Sequence, residues 1–375
     1  MSERYIGSWM QDGAFNPLAA PTPNYQLGLW GWGYNINGQI GIGNTAYYSS
    51  PKQVGSLTNW SKISGGNTFS TAIKTDGTLW TWGGNNYGQL GLGNTTAYSS
   101  PKQVGSLTNW ATISCGSGHT LSIKTDGTLW SWGRNSVGQL GLGNQTYYSS
   151  PKQVGSLTTW KSTACGYFHS VALKTDGTIW TWGQGNYGQL GLSVTTNYSS
   201  PKQVGNLTNW SSVYAGGYIT VAIKTDGSLW AWGRNQFGQL GLNNATYYSS
   251  PKQVGALTNW KSVGVGYSHS WAIKTDNTLW SWGQNTYGGL GLGNTTDYSS
   301  PKQVGALSNW LNTSCNYLYS TAVKTNGTLW SCGQNGQGQL GLGNTTYYSS
   351  PKQVGALTTW YVTYCEFYTA LALQY

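Results

Sequence analysis

The chain has 375 residues with 55 Gly, 22 Trp and 27 Tyr but only 7% charged residues. That aromatic content excludes a disordered chain, which would be aromatic-poor and charge-rich. The net charge of +10 is spread repetitively rather than clustered, which argues against a nucleic-acid surface. No run of about 18 apolar residues occurs, so no membrane insertion is expected. Five Cys at no metal-like spacing argue against a disulfide framework.

In chain order, residues 1–24 read "MSERYIGSWMQDGAFNPLAAPTPN" and lack the basic and apolar regions of a Sec-type signal peptide. With Pro17, Pro21 and Pro23 they fall outside the pattern that follows. They are expected to form an attachment arm, with Tyr5, Trp9 and Phe15 as its apolar contacts. From residue 25 the chain repeats. "SSPKQVG" begins at Ser49, Ser99, Ser149, Ser199, Ser249, Ser299 and Ser349, a strict period of 50.

Each period predicts four short strands, near 51–54, 60–64, 70–75 and 78–83 in the first full copy. The last two flank Asp76-Gly77, which reads as a tight type I′ hairpin. A Gly-rich segment, 88–93, and a polar loop follow. Both hairpin strands occur seven times, yet the first copy lacks a partner strand and the last lacks its turn. Pairing residues 370–374 with residues 29–33 completes the set. The expected fold is all-β: 25–375 as a seven-bladed β-propeller of four-stranded blades, closed by both ends of the chain.

The segment Gly118 to Asn144, "GHTLSIKTDGTLWSWGRNSVGQLGLGN", resembles a repeat of the regulator of chromosome condensation family. The Gly-x-x-His approach, the aromatic-x-Trp-Gly strand and the Gly-Gln-Leu-Gly turn carry the resemblance. It covers about residues 25–375 and implies a seven-bladed β-propeller, of the kind attached to phage tail and bacterial surface proteins. Fold alone assigns no function.

Most recurring residues read as scaffold. Trp60, Trp80 and Trp82 have equivalents in nearly every copy and are read as blade core, with a carbohydrate platform as the alternative. Trp271 stands outside the pattern. His119, His169 and His269 share a register with Phe69, Ile219, Tyr319 and Thr369, which suits packing rather than metal ligation. Cys115, Cys165, Cys315 and Cys365 read as buried packing. Lys52 and Lys74, with their copies, read as solvated rings, Lys52 near an outer strand. No Ser-His-Asp grouping stands outside the repeat, so no catalysis, cofactor or metal is expected.

Copies differ chiefly in two segments, before the first hairpin strand and after Trp-Gly. Strand parity places both on one face, opposite the Asp-Gly turn. Such loops on a rigid scaffold carry binding residues, although drift in exposed loops leaves the same variation. The candidates are Tyr87, Arg134, Tyr167, Phe168, Tyr187, Tyr218, Arg234, Phe237, Tyr267, Tyr287, Tyr317 and Phe367. The expected role is a non-enzymatic interaction module, a phage tail or capsid-associated protein docked through residues 1–24. Its partners would be other virion or surface-assembly proteins, with a cell-surface glycan or receptor as an additional ligand. It would lie on a virion or extracellular surface after non-Sec release, or otherwise in the cytoplasm. The alternatives are a soluble inhibitor resembling the family's β-lactamase inhibitor, and a GTPase or chromatin regulator. The even spacing leaves no room for the protruding wedge that the second activity uses.

Overall fold

The structure, a computed structural model, describes residues 26–375. The arm residues Tyr5, Trp9, Phe15, Pro17, Pro21 and Pro23 lie outside them. Twenty-eight strands, β1 to β28, form seven four-stranded antiparallel sheets. One blade comprises β3 (Trp60–Gly65), β4 (Phe69–Lys74), β5 (Leu79–Gly83) and β6 (Tyr98–Gln103) in that order. Equivalents of β3 touch one another from blade to blade and so surround the axis. Equivalents of β6 lie outermost, with Lys102 and Gln103 exposed. The outer position expected for the Lys52 series is therefore observed.

Both faces of β4 are buried along its whole length, because each blade packs its two sides against neighbours. Ile73, Leu79 and Val104 of one blade thus meet Trp110 and Trp132 of the next. A tryptophan hydrogen bond bridges every such junction but one. The indole N–H of Trp82 donates to the Gln39 carbonyl at 2.8 Å, and Trp132, Trp182, Trp232, Trp282 and Trp32 repeat the bond.

The hairpin turn differs from the type I′ expectation. Only Gly77 takes a left-handed φ, +76°, and Asp76 does not. Gly77 N–H donates to Lys74 O and Lys74 N–H to Thr78 O, each at 3.0 Å. This is a three-residue loop, a type I turn followed by a left-handed residue. Side chains select it. Asp76 Oδ1 accepts from the N–H and hydroxyl of Thr78 at 2.9 and 2.6 Å, and Thr78 Oγ1 accepts from Trp80 Nε1 at 2.8 Å. Trp80 is therefore half-buried turn scaffold rather than deep core.

The Lys74 ring also departs from expectation. Lys74, Lys124, Lys174, Lys274 and Lys324 are buried, not solvated. The Lys74 ammonium lies 3.9 Å from the centroid of Trp80 and 5.0 Å from that of Trp60. Desolvation lowers its pKa, and Asp76 partly opposes this. The aliphatic stem packs while the charge rests on indole faces.

Closure follows the expected pairing. The last blade runs β2 (Tyr48–Gln53), β1 (Gly28–Gly33), β28 (Thr369–Gln374), β27 (Trp360–Cys365), with Leu29 opposite Leu373. Elsewhere Trp110 N–H donates to Gly77 O; at the seam Trp60 N–H donates to Leu27 O instead, at 3.2 Å. The break falls in a turn on the Asp-Gly face and costs no strand.

Candidate recognition face

The short β3–β4 connection and the longer β5–β6 connection emerge together, opposite the Asp-Gly turns. Around the axis the first residues after Gly66 and its equivalents are Asn67, Ser117, Tyr167, Gly217, Tyr267, Tyr317 and Phe367. Aromatic rings fill the aromatic-rich part of this circle. Tyr167 reaches across it, with its ring 5.1 Å from Tyr267, 5.9 Å from Tyr218 and 6.4 Å from Phe367. Burial pushes its phenol pKa upward. Tyr317 stacks at 4.3 Å on Phe367 and 5.6 Å from Tyr267. Offset and edge contacts at these separations favour aromatic pairs.

Two arginines are held in the same layer. The Arg234 guanidinium lies 5.5 Å from the Tyr187 ring and 5.7 Å from Tyr218 and Tyr267, and donates to the Tyr267 hydroxyl at 3.1 Å. The Arg134 guanidinium lies 5.0 Å from Tyr87 and 4.7 Å from Phe168. The structure thus unites Tyr87, Arg134, Tyr167, Phe168, Tyr187, Tyr218, Arg234, Tyr267, Tyr317 and Phe367. Tyr287 pairs with Tyr347, as Tyr87 and Tyr187 pair with Tyr147 and Tyr247. Phe237 is fixed by its backbone N–H to Gln239 Oε1 at 2.9 Å and joins no ring pair described here.

Sequence reasoning missed several members. Tyr368 packs 4.4 Å from Phe367 and 5.3 Å from Tyr317. Tyr47, Tyr147 and Tyr247 are exposed and pair with Tyr34, Tyr87 and Tyr187. Their signal was the milder variation just before "SSPKQVG".

Beneath this layer run polar links between blades. His119, His169 and His269 are fully buried, with Nε2 at 3.1, 3.0 and 2.8 Å from Ser170, Thr220 and Ser320 of the next blade. Each of those hydroxyls donates onward to a carbonyl, of Gln139, Gln189 or Gly289, so each imidazole donates from Nε2. Burial lowers the three pKa values to about 3, about 3 and about 4. All five cysteines are buried free thiols, and burial raises Cys115 and Cys365 to about 11.

Glu366 falls in the variable segment before the first hairpin strand, yet it is fully buried. It stands where most copies have Gly, and its Oε1 lies 2.6 Å from Ser70 Oγ of the next blade. Gly65 makes room, since a Cβ there would collide with the carboxyl. Ser70 Oγ also reaches Gln39 O at 2.7 Å, the acceptor position its equivalents use. A protonated Glu366 therefore donates to Ser70 and does what histidine does in other blades. Burial raises its pKa well above the usual range. The neutral form's stability is present below the ordinary pKa of 4.5 and declines as pH rises toward the folded value. Glu366→Gln should therefore gain thermal stability relative to the parent as pH increases from about 5 to 8. Melting curves across that range check this; a difference that does not grow with pH contradicts it.

A model described as "RCC1-like domain" matches residues 148–369. Models described as "Regulator of chromosome condensation (RCC1) repeat" match residues 28–73 and 76–123, and residues 60–89 and 110–139. The protein is a seven-bladed β-propeller, and it belongs to the RCC1-like family. No curated protein matches the chain. Among solved structures, human WBSCR16 is 22% identical with a TM-score of 0.82, covering 93% of this chain and 98% of that one. Prp20p from Saccharomyces cerevisiae is 20% identical with a TM-score of 0.83, covering 93% and 91%. Yeast RCC1 (Prp20) bound to Kap60 is 18% identical with a TM-score of 0.85, covering 100% and 94%. At these identities the likeness shows the fold.

Proposed function

We propose that this protein is a non-enzymatic recognition module that binds a protein partner through its tyrosine- and arginine-rich face. The observation that carries the reading is the stacked cluster around Tyr167, Tyr267 and Arg234, confined to the face where the repeats differ. Tyr and Arg are residues that dominate interface energetics, and rigid stacked rings lose little entropy on binding. Two proteins of similar structure have protein ligands: Gsp1p and histones for Prp20p, and Kap60 for yeast RCC1. They support a protein partner here.

The finer reading is a virion or surface-assembly protein that recognises a host surface. Low charge and polar, Tyr- and Thr-rich loops support it. Residues 1–24 would dock the ring, since the described chain enters at Leu27 on the Asp-Gly face, paired with Asn59. Replacing Tyr218, Tyr267 and Tyr317 together by Ser should leave the strand signal intact and weaken partner binding by about 2 kcal/mol or more. Deleting residues 1–24 should release a folded ring from purified particles. A truncated ring that still cosediments with them contradicts the docking role.

A further inference from the structure

Outside the recognition face, concavities occur at the blade junctions, and they repeat. One, of about 340 Å³, is walled by residues that include Gln253, Leu257, Trp260, Trp280, Ser300 and Pro301. The next junction holds the same residue types around about 410 Å³, including Gln203, Leu207, Trp210, Trp230, Ser250 and Pro251. The sequence places these types at every one of the seven junctions.

Three features of the walls go beyond packing. Leu257 is 47% exposed, and its six equivalents lie between 46% and 50%, so a large apolar side chain is kept at the surface of every blade. Trp280 is half-buried, and Lys274, stacked 3.6 Å from its ring centroid, is not among the pocket walls. The pocket therefore meets parts of the indole that the lysine does not cover. Trp260 is buried, yet its indole N–H has no partner, as is true of all seven equivalents.

No charged residue lines either pocket. A strongly ionic ligand finds no counter-charge in the walls. An indole and a leucine beside neutral amide and hydroxyl groups suit a ring with one apolar face and a hydroxylated edge. We infer that the seven blade junctions are equivalent binding sites for neutral hexopyranose units, with Trp280 and Leu257 as the stacking platform and Gln253 and Ser300 as the hydrogen-bonding rim. Seven copies of one site around a disc match a ligand that repeats the same unit, for which avidity compensates weak single contacts. These sites are separate from the protein-binding face.

The test uses the full chain and a panel of methyl glycosides of glucose, galactose, mannose and N-acetylglucosamine. Native mass spectrometry should show stepwise addition of one of these sugars, ending at seven. Leu257→Asp, at an exposed position, should lower that limit by one. Combining it with Leu157→Asp and Leu207→Asp should weaken retention on beads coated with the same sugar by about tenfold or more. Thermal melts of both variants establish that the ring is intact. The inference is overturned if no sugar of the panel adds, or if the triple variant binds as the parent does. It is also overturned if N-acetyl-leucinamide saturates the sites and the sugars do not, which would make them docking grooves for apolar side chains. Partner binding by the Tyr218, Tyr267 and Tyr317 face is read separately and is unaffected by any of these outcomes.

Discussion

Trp271→Val should destabilise the ring by about 3–5 kcal/mol, the cost of removing a buried indole, although Val is the native residue at two equivalent positions, 171 and 221. The reason lies one blade away. Six junctions are bridged by a tryptophan, but the seventh has Cys332. Trp271 fills that space from the preceding blade: its indole donates to Gly289 O at 3.0 Å, the carbonyl facing Cys332. Gly289 itself replaces the glutamine of the other copies. Three departures from the repeat thus compensate one another. Cys332→Trp alone should also destabilise, because two indoles then compete for one slot. The pair Trp271→Val with Cys332→Trp should recover much of the loss and give a favourable coupling energy. Urea unfolding of the four proteins measures it. A pair less stable than either single variant contradicts the shared slot.

The second large effect is on acid stability. His119, His169 and His269 are buried neutral, with pKa values lowered from 6.5 to about 3, about 3 and about 4. Unfolding lets each bind a proton below pH 6.5. Their contribution is complete above that pH and is lost as pH falls toward the folded values. A shift of about 3 units corresponds to about 4 kcal/mol for each ring at the acid end. The hairpin aspartates, lowered chiefly by the Thr78-type hydrogen bond from an ordinary value of 3.8, act at lower pH. Glu366 acts with opposite sign. Its interval overlaps theirs, so the histidine contribution is read as the difference between the parent and a variant that keeps Glu366. Replacing all three by Phe, the residue native at position 69, should move the acid unfolding midpoint to lower pH with little change at pH 8. An unchanged midpoint rules out their role.

Much of this architecture was legible because the repeat is strict. A period of 50 fixes strand order, and the mismatch between the two chain ends implies the seam between residues 29–33 and 370–374. Parity separates the two faces, so the loops carrying Tyr167, Tyr267 and Arg234 could be grouped before their contacts were known. What stayed hidden depends on side-chain neighbours that only the folded blades bring together. Lys74 reads as solvated because the strand pattern alone does not show that the Trp60 and Trp80 indoles of its own blade cover it. Glu366 reads as a loop acid because its partner, Ser70, lies across the seam. Trp271 reads as an outlier until Cys332 is placed beside it. The turn type was missed for a local reason: Asp76 bonding to Thr78 outweighs the type I′ preference of an Asp-Gly pair.

The central claim is that recognition of the protein partner belongs to one face of the disc. Site-specific photo-cross-linking in cells that make the protein tests it most directly, with the reactive side chain placed at Tyr87 or Tyr267 on the variable face, or at exposed Thr125 on the Asp-Gly face. With residues 1–24 deleted, so that docking through the arm is absent, the account predicts a discrete protein adduct from positions 87 and 267 and none from 125. A protein adduct from 125 with none from 87 or 267 would contradict it.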